Sequence, residues 1–242
     1  MMVQSVMPDT SELSLPVIRP APQPNVSEQV FNILQQRILS LELPPQTKIS
    51  EADVSKKMGV SRQPVREAFK RLAKLGFLNI RPQSGTLVSL ISERDVLRAK
   101  FIRIALEVHT CRTACEVITP KGLESLNALI AQQRAAVAAN DKRRFHALDD
   151  AFHREICVQS GVDFVWELIL ESKAHMDRIR MLSLDATSQR LALNEHIVIL
   201  DAITARKPDD AAAAFTQHLS RIDGLIALIK AENHSWFTDD AE

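Results

Sequence analysis

The sequence predicts a mainly α-helical protein. A small N-terminal winged helix-turn-helix, three helices plus a β-hairpin wing, precedes an all-α bundle of about six helices. Three observations carry this. Ala, Leu, Arg, Lys and Glu dominate, and 6 glycines in 242 residues are few for a turn-rich sheet plan. Apolar residues recur at helical spacing along most of the chain. One stretch, "FLNIRPQSGTLVSLI", reads instead as two short strands around a turn at residues 82–85.

Residues 1–25 hold five prolines and few aromatics, and are expected to be a flexible tail. In the first helix, Val26–Leu39, Val30, Ile33, Leu34 and Ile38 mark the core face and Ser27 the N-cap. Thr47, Lys48 and Ile49 form a short strand. Glu51–Met58 is the second helix, capped by Ser50 and stopped at Gly59. The third spans 62–75, ending at Gly76. Beyond Glu93 the chain reads as helix throughout. Breaks fall near Pro120, Asp141, Gly161, Asp185 and Pro208. The expected boundaries are 26–91 for the winged module, 92–232 for the bundle and 233–242 for a C-terminal tail.

The charge is balanced overall at 30 Lys and Arg against 30 Asp and Glu, but unevenly spread. Residues 26–90 carry ten basic and five acidic side chains, a net +5; residues 91–242 carry a net −4. A basic module of this kind suits a phosphate-bearing partner. No apolar run reaches the ~18 residues of a membrane span. Three cysteines make no disulfide framework. A cytoplasmic location is expected, without membrane association.

In "GVSRQPVREAFKRL" Pro64 falls within the first turn behind a Ser61 cap, where helical N–H groups have no partner to lose. At 100° per residue Val65, Ala68, Phe69 and Leu72 form the buried face; Gln63, Arg66 and Lys70 lie opposite, and Arg62 flanks them. A helix with an apolar back and a basic, amide-bearing front fits the major groove, where Arg pairs with guanine and Gln with adenine. The hairpin offers Arg81 and Gly85 to phosphate or the minor groove. The plainer reading is a surface helix with solvated charges; the turn, the basic helix and the hairpin in series argue against it. This run, from "ISEADVSKKM" to "SGTLV", resembles the winged helix-turn-helix of the GntR family of bacterial transcription regulators. The resemblance implies operator contacts by Arg62 and Arg66, with Gly85 as the wing glycine. Three departures stand out: Ala52 replaces a frequent arginine, Gln63 a frequent threonine, and Leu41 and Gln46 the usual glycines around Pro44-Pro45.

The bundle carries a second constellation. In "ALDDAFHREI" Asp149 and His153 lie four apart, on the edge of the stripe formed by Phe145, Leu148, Phe152 and Ile156. His196 lies in line with Ile199, Leu200 and Ile203, and His218 with Phe215, Ile222 and Leu225. A lone histidine on such a face is usually a satisfied core residue. Three together with a carboxylate are costly to bury unpaired, and one divalent ion (Zn, Ni or Mn) would satisfy all four. His146, which projects close to His153, remains an alternative ligand. His109, His175 and His234 have no such partners, and Cys111 and Cys115 read as apolar packing.

The pattern "D-x-x-F-H … E-H-x-x-x-L-x-A-I … H-L" resembles the FCD domain of the FadR subfamily of GntR regulators, over about residues 95–229. About six helices is nearer its VanR-like group. The resemblance implies metal binding by Asp149, His153, His196 and His218, with a small carboxylic-acid effector completing the site. Arg103 matches a family arginine. Arg178, preferred over Arg180, and Asn194 are further effector candidates. Together these features point to a homodimeric regulator, expected to repress, that binds double-stranded operator DNA and answers to an acid. A metal-dependent enzyme and a regulator with a purely structural metal are the alternatives.

Overall fold

The structure, a computed structural model, describes residues 25–81 and 85–238. The expected N-terminal tail, apart from Asn25, and the wing-turn residues 82–84 lie outside the described residues.

Helix α1 (Val26–Leu39) is capped by Asn25, whose Oδ1 accepts from the Glu28 N–H at 2.8 Å, and not by Ser27, which is buried in the first turn. Its core face is Val30, Phe31, Leu34 and Ile38; Ile33 points outward, and Phe31 takes the place expected for it. Strand β1 (Lys48–Ile49) leads to α2 (Glu51–Met58), where Ser50 Oγ accepts from the Asp53 N–H. Helix α3 (Arg62–Lys74) buries Val65, Ala68, Phe69 and Leu72, as its periodicity predicts. Ser61 sits at the N-cap position with extended backbone, but its side chain makes no capping hydrogen bond.

Strands β2 (Leu78–Arg81) and β3 (Gly85–Val88) pair antiparallel, with Arg81 opposite Gly85. β1 joins the other edge of β3, so the wing is a three-stranded sheet and not a lone hairpin. Gly85 has φ +94°, and a Cβ there would come 3.0 Å from Lys48 Cε. Leu41 (φ 61°) and Gln46 (φ 67°) hold the left-handed backbone that glycine adopts most easily.

The C-terminal region contains, among the described residues, eight helical segments: α4 (Glu93–Val117), α5 (Pro120–Ala138), α6 (Lys142–Gln159), α7 (Phe164–Ser172), α8 (Ala174–Ser183), α9 (Ala186–Thr204), α10 (Pro208–Ser220) and α11 (Ile222–Glu232). Every break expected from sequence is present. Asp141 caps α6, and Asp185 forms a capping box with Ser188. Two single-residue breaks, at Lys173 and Arg221, raise the count above six; neither glycine nor proline marks them.

Of the segment expected as a C-terminal tail, residues 233–238 are described and are built into the fold. A 3-10 turn (His234–Trp236) leads to Phe237, which is buried against Ile91, Val96, Ile226 and Ile229. The two regions also share a core, since Ala174 of α8 packs with Phe77, Leu78 and the apolar face of α1.

Candidate metal centre and nucleic-acid interface

Arg62, Gln63, Arg66 and Lys70 are exposed along α3, and Arg81 and Gly85 are exposed at the wing. Burial of Val65, Phe69 and Leu72 turns this polar face to solvent. Two of these side chains have intramolecular partners. Gln63 Nε2 donates to Glu67 Oε1 at 3.0 Å, and Arg66 Nε donates to Glu51 Oε2 at 3.2 Å.

Asp149 and His153 on α6, His196 on α9 and His218 on α10 converge, with one ligand atom of each within 4.8 Å of the others. His218 Nε2 lies 3.2 Å from His153 Nε2 and 3.3 Å from His196 Nε2. Asp149 oxygens lie 3.6 Å from His196 Nε2 and 3.7 Å from His153 Nε2. The other ring nitrogens explain the geometry. His153 Nδ1 meets Glu107 Oε2 at 2.5 Å, and His218 Nδ1 meets Glu195 Oε2 at 2.7 Å. His196 Nδ1 meets Gln133 Oε1 at 2.8 Å, while Gln133 Nε2 donates to the Leu148 carbonyl and so fixes the amide's orientation. The nearest partner of each Nδ1 accepts (Arg103 Nη2 stands farther off, 3.3 Å from His153 Nδ1), so each Nδ1 carries the proton and each Nε2 turns a lone pair inward.

Three mutually repelling lone pairs and a carboxylate, with no proton between the rings, fit a divalent cation. With metal–nitrogen bonds of about 2.1 Å, ligand nitrogens lie about 3.0 Å apart at right angles and about 3.4 Å apart in a tetrahedron; the ring–ring spacings fall in that range. Electrostatics agree with the donor set. Burial and the neighbouring His218 hold His196 well below the usual imidazole value. Burial also lowers His218, against the pull of Glu195. Burial would raise Asp149, but the Arg180 guanidinium outweighs it and keeps the carboxylate ionised. Glu107, opposed by burial, is held at about 2 by Arg103 and His153.

His146 does not join this group. It faces Asp150 and Asp177, whose carboxylates are already neutralised by Lys173 at 2.7 and 2.5 Å and by Arg180. A cleft reaches this four-residue cluster between Arg103, Arg180, Arg221, Ser183 and Met176. Arg103 is buried within it, bonded to Glu107. Arg178 is not part of the cleft: its Nη1 donates to the Ser89 carbonyl at 2.8 Å, at the junction of the two regions. Two residues along α8, Arg180 points the other way and contacts Asp149. Asn194 is exposed and outside the cleft.

The sequence reading named none of Glu107, Gln133, Glu195 and Arg221. Glu107 stands four residues after Arg103, a helical ion-pair spacing that was a usable signal. Glu195 is the glutamate of the quoted E-H pattern, next to His196, and was a second usable signal; Gln133 comes from a helix face whose neighbours only the fold reveals. Cys111, Cys115 and Cys157 are free thiols packed in the core.

The architecture is that of a winged DNA-binding module joined to a helical sensor-type domain. Residues 26–88 match the family described as bacterial regulatory proteins, gntR family, and residues 99–221 match the FCD domain. The chain is 37% identical over 220 residues to the HTH-type transcriptional repressor RspR of Escherichia coli K12, spanning 90% of this chain and 96% of that one. It is 25% identical over 208 residues to the Nta operon transcriptional regulator of Aminobacter aminovorans, spanning 84% and 96%. Among solved structures, E. coli McbR/YncC superposes with a TM-score of 0.73 at 20% identity, covering 85% of this chain and 99% of that one; this likeness speaks to the fold alone. The chain therefore belongs to the GntR family of transcription regulators with an FCD domain. It is a DNA-binding regulator and not an enzyme. Among the described residues no helix is long and apolar enough to cross a membrane.

Proposed function

We propose that this regulator is a cytoplasmic, homodimeric repressor whose operator affinity is set by a small carboxylic acid bound beside a divalent metal. Residues 26–91 act as the DNA module and 92–232 as the sensor. Arg62, Gln63, Arg66 and Lys70 enter the major groove, while Arg81 and Gly85 approach the backbone or minor groove. Asp149, His153, His196 and His218 hold the metal. Repression is the role printed in the name of the relative RspR. Exposed Phe101 and Phe164 are the kind of apolar surface that a second copy would cover.

The observation that supports the metal reading is the convergence of three Nε2 lone pairs, each fixed by an acceptor on its Nδ1. The metal would supply a Lewis-acidic anchor for a carboxylate. Of the arginines in the cleft, Arg103 is buried and Arg180 is held by three carboxylates, whereas Arg221 is the most exposed and its ion pair is with Glu195, so it is best placed to meet the acid's remaining polar groups. Elemental analysis and native mass spectrometry of the purified protein test the metal and any co-purified acid. A melting-temperature screen of carboxylic acids on the metal-loaded protein tests sensing. A bound metal with no acid shifting the melting temperature would favour a purely structural ion.

A further inference from the structure

We infer that Arg178 and residues 234–238 form a clasp on the linker between the two regions, and that the clasp carries the state of the sensor cleft to the DNA module. The coupling part of this inference rests on the function proposed above; the clasp itself does not.

The linker, residues 89–92, joins the end of β3 to the start of α4. Its backbone polar groups are distributed in order along its length. The Ser89 carbonyl accepts from Arg178 Nη1 at 2.8 Å, and the Leu90 carbonyl from the same nitrogen at 3.3 Å. The Ile91 N–H donates to the Trp236 carbonyl at 2.8 Å, and the Ile91 carbonyl accepts from the Thr238 N–H at 2.9 Å. The Ser92 N–H donates to His175 Nδ1 at 3.2 Å. Two elements therefore grip the linker, α8 from one side and a short parallel bridge between Ile91 and Phe237 from the other. Such accounting leaves the linker no free swing: moving it unmakes these bonds in a buried setting.

The same elements reach the cleft. Met176 lines it, yet packs in the cluster that buries Ile91 and Phe237, together with Ile179 and Ile226. Ile222 lines the cleft and belongs to that cluster as well. Along α8, Arg180 reaches Asp149 at the metal centre, while Arg178, two residues earlier, holds the linker. A displacement of α8 by a ligand in the cleft is thus delivered to the linker by one rigid helix.

Arg178 also indicates that the clasp is poised. Its side chain is 1% exposed, and among the described residues it has no carboxylate partner and its Nε and Nη2 have no hydrogen-bond acceptor. A buried cation with two unmet donors makes the clasped arrangement shallower than full pairing would, as a two-state element requires.

Two full-length variants, Phe237→Ala and Arg178→Met, and a chain shortened to end at Asn233 test the clasp. Amide hydrogen exchange at residues 89–92 is measured on metal-free protein. The clasp predicts exchange about tenfold faster in Phe237→Ala and in the shortened chain. It also predicts operator affinity changed by about threefold or more in all three variants, with unaltered helical content. Unchanged linker exchange in both Phe237→Ala and the shortened chain overturns it. Zinc alone is the second probe. Zinc that alters linker exchange in the wild type but not in Phe237→Ala supports the coupling; zinc that binds one per chain and leaves the linker untouched refutes it. Failure of zinc to bind at all would refute the proposed metal centre, and the metal-free comparison would still decide the clasp.

Discussion

The Nε2 atoms of His153 and His218 stand 3.2 Å apart with no proton between them, because each ring has its Nδ1–H committed to a glutamate, Glu107 or Glu195. Without a cation this contact is repulsive; with one it becomes half of a coordination shell. His196→Ala is therefore expected to abolish stoichiometric metal while keeping the helical circular-dichroism signal. Metal at a hundredfold excess over its Kd stabilises a folded protein by about 2.7 kcal/mol, and that increment should vanish in the variant. His146→Ala should retain full metal occupancy. Elemental analysis decides both, and loss of metal in His146→Ala would overturn the assignment.

Gln133 acts on the centre without touching the inward nitrogens. Its Oε1 accepts from His196 Nδ1–H, and its amide is pinned by the Leu148 carbonyl. Gln133→Leu removes the acceptor that fixes the tautomer, so metal affinity should fall by about 10–100-fold. A competition titration against a chelator measures it; an unchanged affinity would show that His196 keeps its tautomer unaided.

How much of this was legible in the sequence follows the range of each interaction. The buried face of α3, the five expected breaks in the helical region and the place of each of the four donors on the apolar edge of its helix are set by spacing along single helices, and spacing is visible in a string; that the four meet was only implied by the resemblance. Ser27 failed as the cap because the helix begins two residues earlier: Asn25 caps it by accepting from the Glu28 N–H, and Ser27 is left inside the first turn. The preference for Arg178 over Arg180 picked the arginine outside the cleft, because residues two apart on a helix point in different directions and only the packing of α8 says which direction is the cleft. The breaks at Lys173 and Arg221 carry no glycine or proline: at Lys173 the chain turns at a buried ammonium held by Asp177, four residues on, and by Asp150, and the Asp150 partner is tertiary.

On α3, Arg66 is paired with Glu51, but both are at least one-third exposed, so the pair is easily exchanged for a base or phosphate. Arg66→Ala should weaken operator binding by ~1–3 kcal/mol if the arginine makes a bidentate base contact. The comparison is made by anisotropy at fixed salt, with a duplex that the protein itself selects from a random pool. Equal affinity would remove Arg66 from the interface.

The loop before the wing holds Gln46 at φ 67°, where the family pattern has glycine. Its side chain is exposed, while its N–H donates to the Val88 carbonyl at 2.8 Å. Left-handed backbone costs a non-glycine residue roughly 1–2 kcal/mol, and glycine loses roughly 0.5–1 kcal/mol of that advantage through its freer unfolded chain. Gln46→Gly should thus stabilise by up to about 1 kcal/mol in denaturant unfolding, and Gln46→Val should destabilise. A stabilising valine would contradict the backbone assignment.

His175 makes the junction sensitive to acid. Its Nδ1 accepts from the Ser92 N–H, so the neutral ring carries its proton on Nε2, the atom that lies 2.9 Å from where a Cβ on Gly76 would stand. Burial, reinforced by the charge of Arg178 and partly offset by Asp95, lowers its pKa to about 4. The unfolded ring titrates near 6.5, so between about 6.5 and 4 the unfolded chain binds the proton that the folded one refuses. Stability from this residue is fully present above pH 6.5 and drains away as pH falls toward 4, by at most about 3 kcal/mol. His175→Asn can still accept from Ser92 and does not titrate. The difference in unfolding free energy between wild type and variant should therefore be constant above pH 7 and shift steadily in favour of the variant from pH 6.5 to 4.5. Parallel curves over that range would mean that the ring is protonated in the folded protein and that the Ser92 bond is not what holds it.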